Sequence, residues 1–393
     1  MPHGWESAGR LLCVRLDSLG DVLMTQPAIR ALKGAVAGRR ITLLTSPAGA
    51  EAARLVPEID DVIVYEAPWM KATPPRPSPA HDFAMIDRLR DGRFDGAVLF
   101  TVSTQDPLPA AMLTYLAGIP LRAAHCAHNP YQLLSDSLPE RDSGPEQRHE
   151  VRRQLCLVAA LGSPSTDERM AIAVPPAARV AVREMLATHG IGTGDLFAVI
   201  HPGASAPSRR YEPGRFRAVA GALEAAGARC IVTGDPGERE LAQAVAGGSA
   251  VNLAGLLELP ALAAAIEASS VLVTNNTGPA HIAAATGTPV VVVYARTNPQ
   301  HTPWMVPSRV LSRDVACSWC LKSVCPEGTN ACLDVPPGEV AGAALELMGM
   351  RVAGDGRDAG SIPARASAAR AGSPSSSPRR AAPRDRRWPA ADR

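Results

Sequence analysis

The chain has 393 residues, of which 46% are hydrophobic and 20% charged, with a formal net charge of +2. Such a length exceeds one typical domain and fits two with sizeable cores, and the composition is that of an ordinary globular protein. Residues 351–393 hold ten Arg and four Asp, a net charge of +6, so the preceding body carries a net charge of −4. An acidic body argues against a dedicated nucleic-acid-binding protein.

The apolar run at residues 11–14 is too short for a signal peptide and is followed at once by Arg15. No stretch approaches the roughly 18 uninterrupted apolar residues that a membrane-spanning helix needs. We therefore expect a cytoplasmic protein whose eight cysteines stay reduced.

The first part of the chain alternates short apolar runs with helical patterns. Strands are predicted at 11–16, 41–44, 62–65 and 95–100, and helices at 21–32, 107–117 and 151–161. Pro27 is expected to bend or restart the first helix. Residues 66–81 are proline-rich and predict a long loop, a feature that is often functional inside a compact domain. The pattern at residues 125–146 is weak and predicts no element.

A second series begins near residue 170. Its predicted strands are 197–201, 230–233, 271–275 and 290–294, and its helices are 177–189, 213–226, 238–245, 260–268, 280–285 and 340–348. Two such series predict an α/β protein with two Rossmann-like domains, 1–168 and 169–350, facing a central cleft. Residues 351–393 offer almost nothing to bury and predict a disordered tail, with a basic arm for acidic lipid or nucleic acid as the alternative.

The most informative segment follows the strand that starts at Val271. The strand breaks at Asn275 and Asn276, and the turn formed by Thr277 and Gly278 leads into a helix with Pro279 in its first turn. Backbone N–H groups and the helix dipole at such a start can bind a diphosphate, and His281 adds an imidazole. An ordinary strand-to-helix turn without a ligand is the alternative interpretation.

A second candidate site follows the first strand, where Gly20 allows a tight turn and Asp21 stands at a helix start. A carboxylate near the cleft can accept a proton from a substrate hydroxyl. The alternative is that Asp21 only caps the helix, and Asp17 is an equally good candidate on chemistry alone.

A third candidate is the loop at residues 201–210. Gly203 and Ser205 can donate hydrogen bonds to a phosphate, and Arg209 or Arg210 can supply a permanent positive charge. A solvated basic loop is the alternative. The spacing is not that of a Walker motif, which disfavours ATP hydrolysis, and the first strand is not followed by the glycine pattern of a dehydrogenase.

The sequence gives little support for a metal. Four cysteines, Cys317, Cys320, Cys325 and Cys332, could form a zinc site, but only the first pair has a familiar zinc spacing. Reduced cysteines that pack a small lobe are the other interpretation. The chain contains no Asp-x-Asp sequence, so a carboxylate cage for a divalent cation on a nucleotide diphosphate is not expected.

Taken together, these motifs resemble those of glycosyltransferase family 9, the ADP-heptose:lipopolysaccharide heptosyltransferases. The matching segments are 15–24 with Pro27, 68–71, 149–150, 201–205, 233–235 with Glu238, 252–255, 275–281 and the cysteine-rich stretch after Trp304. The resemblance spans roughly residues 11–348. It implies a GT-B fold, with the acceptor in the first domain and the nucleotide-sugar donor in the second.

The resemblance also implies an inverting, metal-independent transfer of heptose from ADP-heptose to the lipopolysaccharide inner core. The acceptor would be a lipid-linked oligosaccharide at the inner face of the cytoplasmic membrane, with the enzyme cytoplasmic or peripheral on that face, and no cofactor is implied. The family's catalytic base falls on Asp21, its phosphate-binding basic residue on Arg209 and its ribose-binding glutamate on Glu238. Many members carry Asp at the position of Asn276, so the donor sugar is less well defined than the reaction. The alternatives are another nucleotide sugar for a different surface glycan, or a non-catalytic nucleotide-sugar-binding protein.

Overall fold

Two parallel β-sheets of six strands each form the framework of the protein in the computed structural model, which describes residues 4–71, 73–140 and 147–350. The predictions for the tail at residues 351–393 lie outside these ranges.

The first sheet has the strand order β3-β2-β1-β4-β5-β6, and all neighbouring strands are parallel. Its strands are β1 (Arg10–Arg15), β2 (Arg40–Thr45), β3 (Asp61–Val64), β4 (Gly96–Leu99), β5 (Leu121–Cys126) and β6 (Asp136–Pro139). The helices of this part are α1 (Leu19–Ala35), α2 (Pro47–Ala53), α3 (Ala80–Asp91), α4 (Leu108–Leu116) and α5 (Glu150–Ala160).

The second sheet has the order β12-β11-β10-β7-β8-β9 and is also parallel. Its strands are β7 (Phe197–His201), β8 (Arg229–Val232), β9 (Val251–Asn252), β10 (Val271–Asn275), β11 (Val290–Val293) and β12 (Ser308–Leu311). Its helices are α6 (Pro176–Thr188), α7 (Pro213–Ala225), α8 (Arg239–Ala246), α9 (Leu259–Ala268), α10 (Gly278–Thr286) and α11 (Pro337–Leu347).

The inner strands β1 and β10 position the cleft. β10 is fully buried and β1 is buried from Leu11 onward, as expected for parallel strands covered by helices on both faces. Each strand leads through a short turn into a helix, and these two helices, α1 and α10, pack against each other. Ligands of such sheets bind beyond the carboxyl ends of the strands, and here two of these ends meet.

The α/β architecture with two parallel sheets confirms the predicted fold class, and the differences lie at its edges. Strands β5, β6, β9 and β12 and helices α2 and α3 were not predicted. β5 contains Arg122, a buried residue whose guanidinium donates hydrogen bonds to backbone carbonyls, so its sequence does not look apolar. β6 and β12 are edge strands with polar sequences. Pro27 lies inside α1, which is a single helix and is not restarted there.

Within the described residues, no helix is long and apolar enough to cross a membrane.

Candidate active site

The turn that begins α1 touches the turn that begins α10. Gly20, in the first turn of α1, lies so close to His281 that a Cβ atom at position 20 would be 2.6 Å from the His281 Cδ2 atom. His281 is 4% exposed. A residue without a side chain is therefore required where the two sheets approach each other.

Gly20→Ala is expected to push α1 and α10 apart and to reduce activity strongly, because the ring of His281 occupies the space that the added methyl group needs. Gly34→Ala is the matched control in the same helix, since a Cβ atom there meets nothing within 4 Å. Alanine is about 1 kcal/mol more favourable than glycine inside a helix, so the control should be slightly stabilised. Thermal unfolding and turnover of both variants test this. Equal melting temperatures and equal turnover of the two variants would contradict the close contact between Gly20 and His281.

A cavity of about 500 Å³, here called the cleft cavity, opens between these turns. It is lined by eight of the nine site residues predicted from the sequence: Asp21, Ser205, Arg209, Asn276, Thr277, Gly278, Pro279 and His281. Further lining residues come from the Asp17–Gly20 turn, from residues 297–301 and from residues 321–323. Contributions from both sheets make this cavity the natural place for a ligand that must be reached from two sides.

Four residues that line the cleft cavity carry buried side-chain nitrogens with no hydrogen-bond partner in the described part of the chain. These atoms are Arg209 Nε, Asn276 Nδ2, His281 Nδ1 and His301 Nε2. A buried polar group without a partner costs about 1–3 kcal/mol, so such groups are rarely gathered in one place without a ligand to satisfy them. Arg209 and Lys322 add positive charge to the same wall. The cavity is therefore suited to an anion with several acceptor oxygens.

The turn itself offers fewer backbone donors than the sequence pattern indicated. Pro279 has no N–H group, and the Ala280 N–H already donates to the Thr277 carbonyl at 3.1 Å. Thr277 is the N-cap of α10, and its side chain makes no capping hydrogen bond. The donors that remain are the N–H groups of Thr277 and Gly278, with the Thr277 hydroxyl beside them.

On the opposite wall of the cleft cavity, one buried arginine holds three carboxylates. Arg15 is fully buried and forms ion pairs with Asp17 at 3.0 Å, with Asp21 at 3.1 Å and with Glu150 at 2.9 Å. Asp21 also accepts hydrogen bonds from the Ser18 N–H at 3.1 Å and the Ser18 hydroxyl at 2.7 Å, which completes a capping box. Asp21 therefore does cap the helix, and it does so at the edge of the cavity.

Asp17 and Asp21, the two partly exposed carboxylates of this cluster, differ in pKa. Burial alone would raise the pKa of Asp21, but Arg15 and the hydrogen bonds from Ser18 outweigh it and hold this pKa below its usual range. Burial raises the pKa of Asp17 against the opposing effect of Arg15, and the charge of Asp21 adds to the rise. Asp21 is thus the more firmly ionised of the pair at neutral pH.

A second, larger cavity of about 780 Å³, here called the first-sheet cavity, lies above the carboxyl ends of the first sheet. The proline-rich loop contributes Trp69, Met70 and Lys71 to its wall, so this loop does lie at a potential site as expected. Asp17 and Asp21 line both cavities, so these two carboxylates form the wall that the cavities share.

Two further residues of these motifs make structural contacts instead of lining the cleft cavity. The Arg210 guanidinium donates to the Ala204 carbonyl at 2.8 Å, which leaves Arg209 as the arginine on the cleft cavity. Asn275 bonds to the Tyr211 N–H and to the Pro202 carbonyl.

Glu238 is the predicted site residue that is not among those lining the cleft cavity. Its carboxylate occupies the space that a side chain at position 203 would fill, and it accepts from the Asp235 N–H at 3.1 Å. Burial raises the pKa of Glu238. Gly203 thus makes room for this carboxylate beside the loop that carries Ser205.

Sequence reasoning missed residues 297–304, here called the bridging segment. It leaves the carboxyl end of β11 and contacts the first part of the chain: the Glu150 N–H donates to the Gln300 carbonyl at 3.1 Å, and Trp304 stacks on His149 with ring centroids 4.2 Å apart. The sequence does carry a signal for this segment, because it follows a buried strand at the sheet edge where ligands bind and contains His301.

No group of three or more His, Cys, Asp or Glu side chains in the described ranges is placed to hold a metal ion. The zinc alternative for the four late cysteines gains no support from this arrangement.

The chain was compared with known proteins. The family model for glycosyltransferase family 9 (heptosyltransferase) matches residues 83–330. Lipopolysaccharide heptosyltransferase 3 of Escherichia coli is 25% identical over 291 residues, which cover 72% of this chain and 82% of that protein.

Two solved structures share the fold. The glycosyltransferase family 9 protein of Veillonella parvula DSM 2008 has a TM-score of 0.73 at 22% identity, over 88% of this chain and 98% of that one. The E. coli ADP-heptose lipopolysaccharide heptosyltransferase II has a TM-score of 0.68 at 20% identity, over 86% of this chain and 98% of that one. These likenesses confirm the GT-B-like architecture.

Proposed function

Because this chain belongs to glycosyltransferase family 9, the heptosyltransferase family, it is a glycosyltransferase, and we propose that it moves a heptose from ADP-heptose to the lipopolysaccharide inner core. Donor and acceptor class are those named for two relatives, ADP-heptose lipopolysaccharide heptosyltransferase II and lipopolysaccharide heptosyltransferase 3. The first domain, residues 1–168, binds the acceptor, and the second, residues 169–350, binds the donor.

The observation that carries the proposal is that two cavities share one carboxylate wall. The cleft cavity, with Arg209, Lys322 and the unpartnered nitrogens, suits a diphosphate. The first-sheet cavity is mostly apolar and lies on the other side of Asp17 and Asp21. An inverting transfer needs this arrangement, since the attacking hydroxyl must approach the anomeric carbon from the face opposite to the departing diphosphate.

The residues then have distinct roles. Asp21 accepts the proton of the acceptor hydroxyl as its oxygen forms a bond to the anomeric carbon. The bond from that carbon to the diphosphate oxygen breaks, and the electron pair leaves with the nucleotide. Arg209, Ser205 and the start of α10 stabilise the charge that builds on the diphosphate, in a role like that of an oxyanion hole. Glu238 binds the nucleoside, and inversion at the anomeric carbon follows from the single displacement.

Asn276 distinguishes this chain from family members with Asp at the same position. It is 3% exposed and lines the cleft cavity, so its neutral amide donates where a carboxylate would only accept. The donor sugar can therefore be held by a different set of hydroxyl contacts. For this reason another nucleotide sugar, used for a different surface glycan, is the second candidate.

Transfer activity is expected to be unchanged, within about twofold, after treatment with EDTA, because Arg209 and the α10 turn supply the positive charge. Arg209→Met should instead lower turnover by about 10²–10³-fold, the usual cost of removing one donor to a developing anion. Arg217→Met, on the exposed side of α7, is the control. A requirement for added Mg²⁺ or Mn²⁺ after chelation would contradict this account of leaving-group stabilisation.

Thermal-shift measurements with ADP-, UDP- and GDP-sugars test the function itself. Stabilisation by ADP-heptose above the others, followed by transfer to an inner-core acceptor, is the expected result. Preference for another nucleotide sugar would favour the second candidate, and binding without transfer to any acceptor would favour a non-catalytic binding protein.

A further inference from the structure

His301 is the histidine of the bridging segment, and charged groups of both walls of the cleft cavity act on its imidazole. It lines the cleft cavity together with Asp21 on the wall of the first sheet and Arg209 on the wall of the second. The charged groups that act on its imidazole are Asp21 and Glu150, followed by Arg15 and Arg209. His301 therefore faces a cavity whose two walls carry opposite charges.

Neighbouring contacts fix where the bridging segment runs. The Gln300 side chain donates to the Ser103 hydroxyl at 2.8 Å, and the Thr302 carbonyl lies 2.9 Å from His149 Nε2. Both contacts are made to the first part of the chain, one on each side of His301. The imidazole is consequently held in place by its own segment and does not depend on a ligand for its position.

The Asn298 amide lies between Tyr294 and the ring of His301. The Tyr294 hydroxyl lies 2.9 Å from the Asn298 carbonyl and 3.0 Å from Asn298 Oδ1. Asn298 Nδ2, which can only donate, lies 3.1 Å from His301 Nδ1. With the amide in this orientation Nδ1 accepts, and the proton of the neutral ring is on Nε2.

This Nε2–H group is buried and has no hydrogen-bond partner in the described part of the chain. We propose that His301 donates this hydrogen bond to an oxygen of the second phosphate in the diphosphate of the bound nucleotide sugar, and that Tyr294 and Asn298 are positioning residues that hold the required tautomer. The inference rests on the proposed function, because it assumes that a nucleoside diphosphate occupies the cleft cavity.

The diphosphate is the preferred acceptor for two reasons. His301 lines the same cavity as Arg209, which is the cation of the phosphate wall. Burial lowers the pKa of His301, so the ring is neutral at neutral pH and donates without adding a charge, as neutral histidine does in other active sites. The proton stays on Nε2 throughout, and no proton transfer is required of this residue.

The experiment compares the binding of ADP and AMP by calorimetry in wild-type protein and in His301→Ala, His301→Gln and His301→Asn. A hydrogen bond to a charged group accounts for a factor of about 10–100 in affinity. His301→Ala should lose that factor for ADP and change the affinity for AMP, which lacks the second phosphate, by less than about threefold. The glutamine variant, whose amide reaches the position of Nε2, should restore most of the ADP affinity, and the shorter asparagine should not. His189→Ala, on an exposed residue after α6, is the control.

The positioning role has its own measurement. Tyr294→Phe should weaken ADP binding in the wild-type background and have no further effect in His301→Ala, because its contribution passes through the imidazole. Equal losses in both backgrounds would make Tyr294 a packing residue only.

The outcomes separate the inference from the function on which it rests. If wild-type protein binds no ADP, UDP or GDP, the proposed function and the inference are both wrong. If it binds UDP or GDP best, the same comparison is made with that diphosphate and its monophosphate. Undiminished diphosphate binding by His301→Ala, or equal losses for the diphosphate and the monophosphate, would overturn the inference alone.

Discussion

Asp21→Asn is expected to lower the transfer rate by about 10²–10⁴-fold, the usual contribution of a general base, while ADP affinity changes little. The amide cannot take up the proton of the acceptor hydroxyl. The substitution keeps the size of the side chain, and one amide oxygen can still accept from Ser18, so α1 should keep most of its N-terminal cap. Steady-state turnover and ADP titration by calorimetry measure the two quantities separately.

Asp17→Asn is the matched comparison, because both carboxylates bind Arg15 and line both cavities. Asp17 accepts a hydrogen bond from the Gln105 amide at its other oxygen. We expect the Asp17 variant to retain far more turnover than the Asp21 variant. Near-normal turnover of Asp21→Asn would show that Asp21 is only a helix cap. Loss of turnover in Asp17→Asn alone would identify Asp17 as the base.

Arg15→Met is expected to destabilise the protein by about 3–5 kcal/mol at neutral pH, because it leaves Asp17 and Asp21 without their cation and leaves the fully buried Glu150 with the more distant Arg153, at 3.8 Å. In the native protein the pKa values of Asp21 and Glu150 are lowered, so the stability that these groups contribute is present above their unfolded values near 4 and is lost as the pH falls. Without Arg15 these pKa values rise. The deficit of the variant should therefore be largest at pH 7 and shrink toward pH 4.

Urea unfolding of the Arg15 variant at several pH values measures this deficit. Arg169→Met is the control, since Arg169 is exposed and its pair with Asp167 is a surface ion pair of the kind that contributes at most about 1 kcal/mol. A deficit that is the same at pH 4 and pH 7 would show that Arg15 acts through packing and not through its charge.

The two turns of the site could be predicted from the sequence because their signals are local. A buried apolar run that ends in Asn, Thr, Gly or Asp and resumes with helical spacing indicates a strand, a turn and a helix start, as at Gly20 and Thr277. Family resemblance added roles for Asp21, Arg209 and Glu238, and these stay predictions. The cavity positions of Asp21 and Arg209 agree with those roles, whereas Glu238 lies outside the cavity lining.

Long-range partners could not be predicted. The ion pair between Arg15 and Glu150 joins residues 135 positions apart, and the Gln300 amide reaches Ser103 across 197 positions. The first pair depends on how α5 packs on the first sheet and the second on how the two sheets come together, and no local pattern encodes either. Arg15 was therefore interpreted only as the end of an apolar run and the start of a family motif, and His301 was not considered.

The wall shared by the two cavities has a consequence for how this architecture can diversify. Asp17 and Asp21 line both cavities, so neither cavity can be reshaped at this wall without reshaping the other. The outer walls carry different residues, Trp69 on one cavity and Ser205 and Arg209 on the other, and Lys71 links them by donating to Ser323 at 3.3 Å. Under the proposed function, the loop that carries Trp69 is therefore the place to graft when a different acceptor is wanted, with Lys71 kept to preserve the donor side.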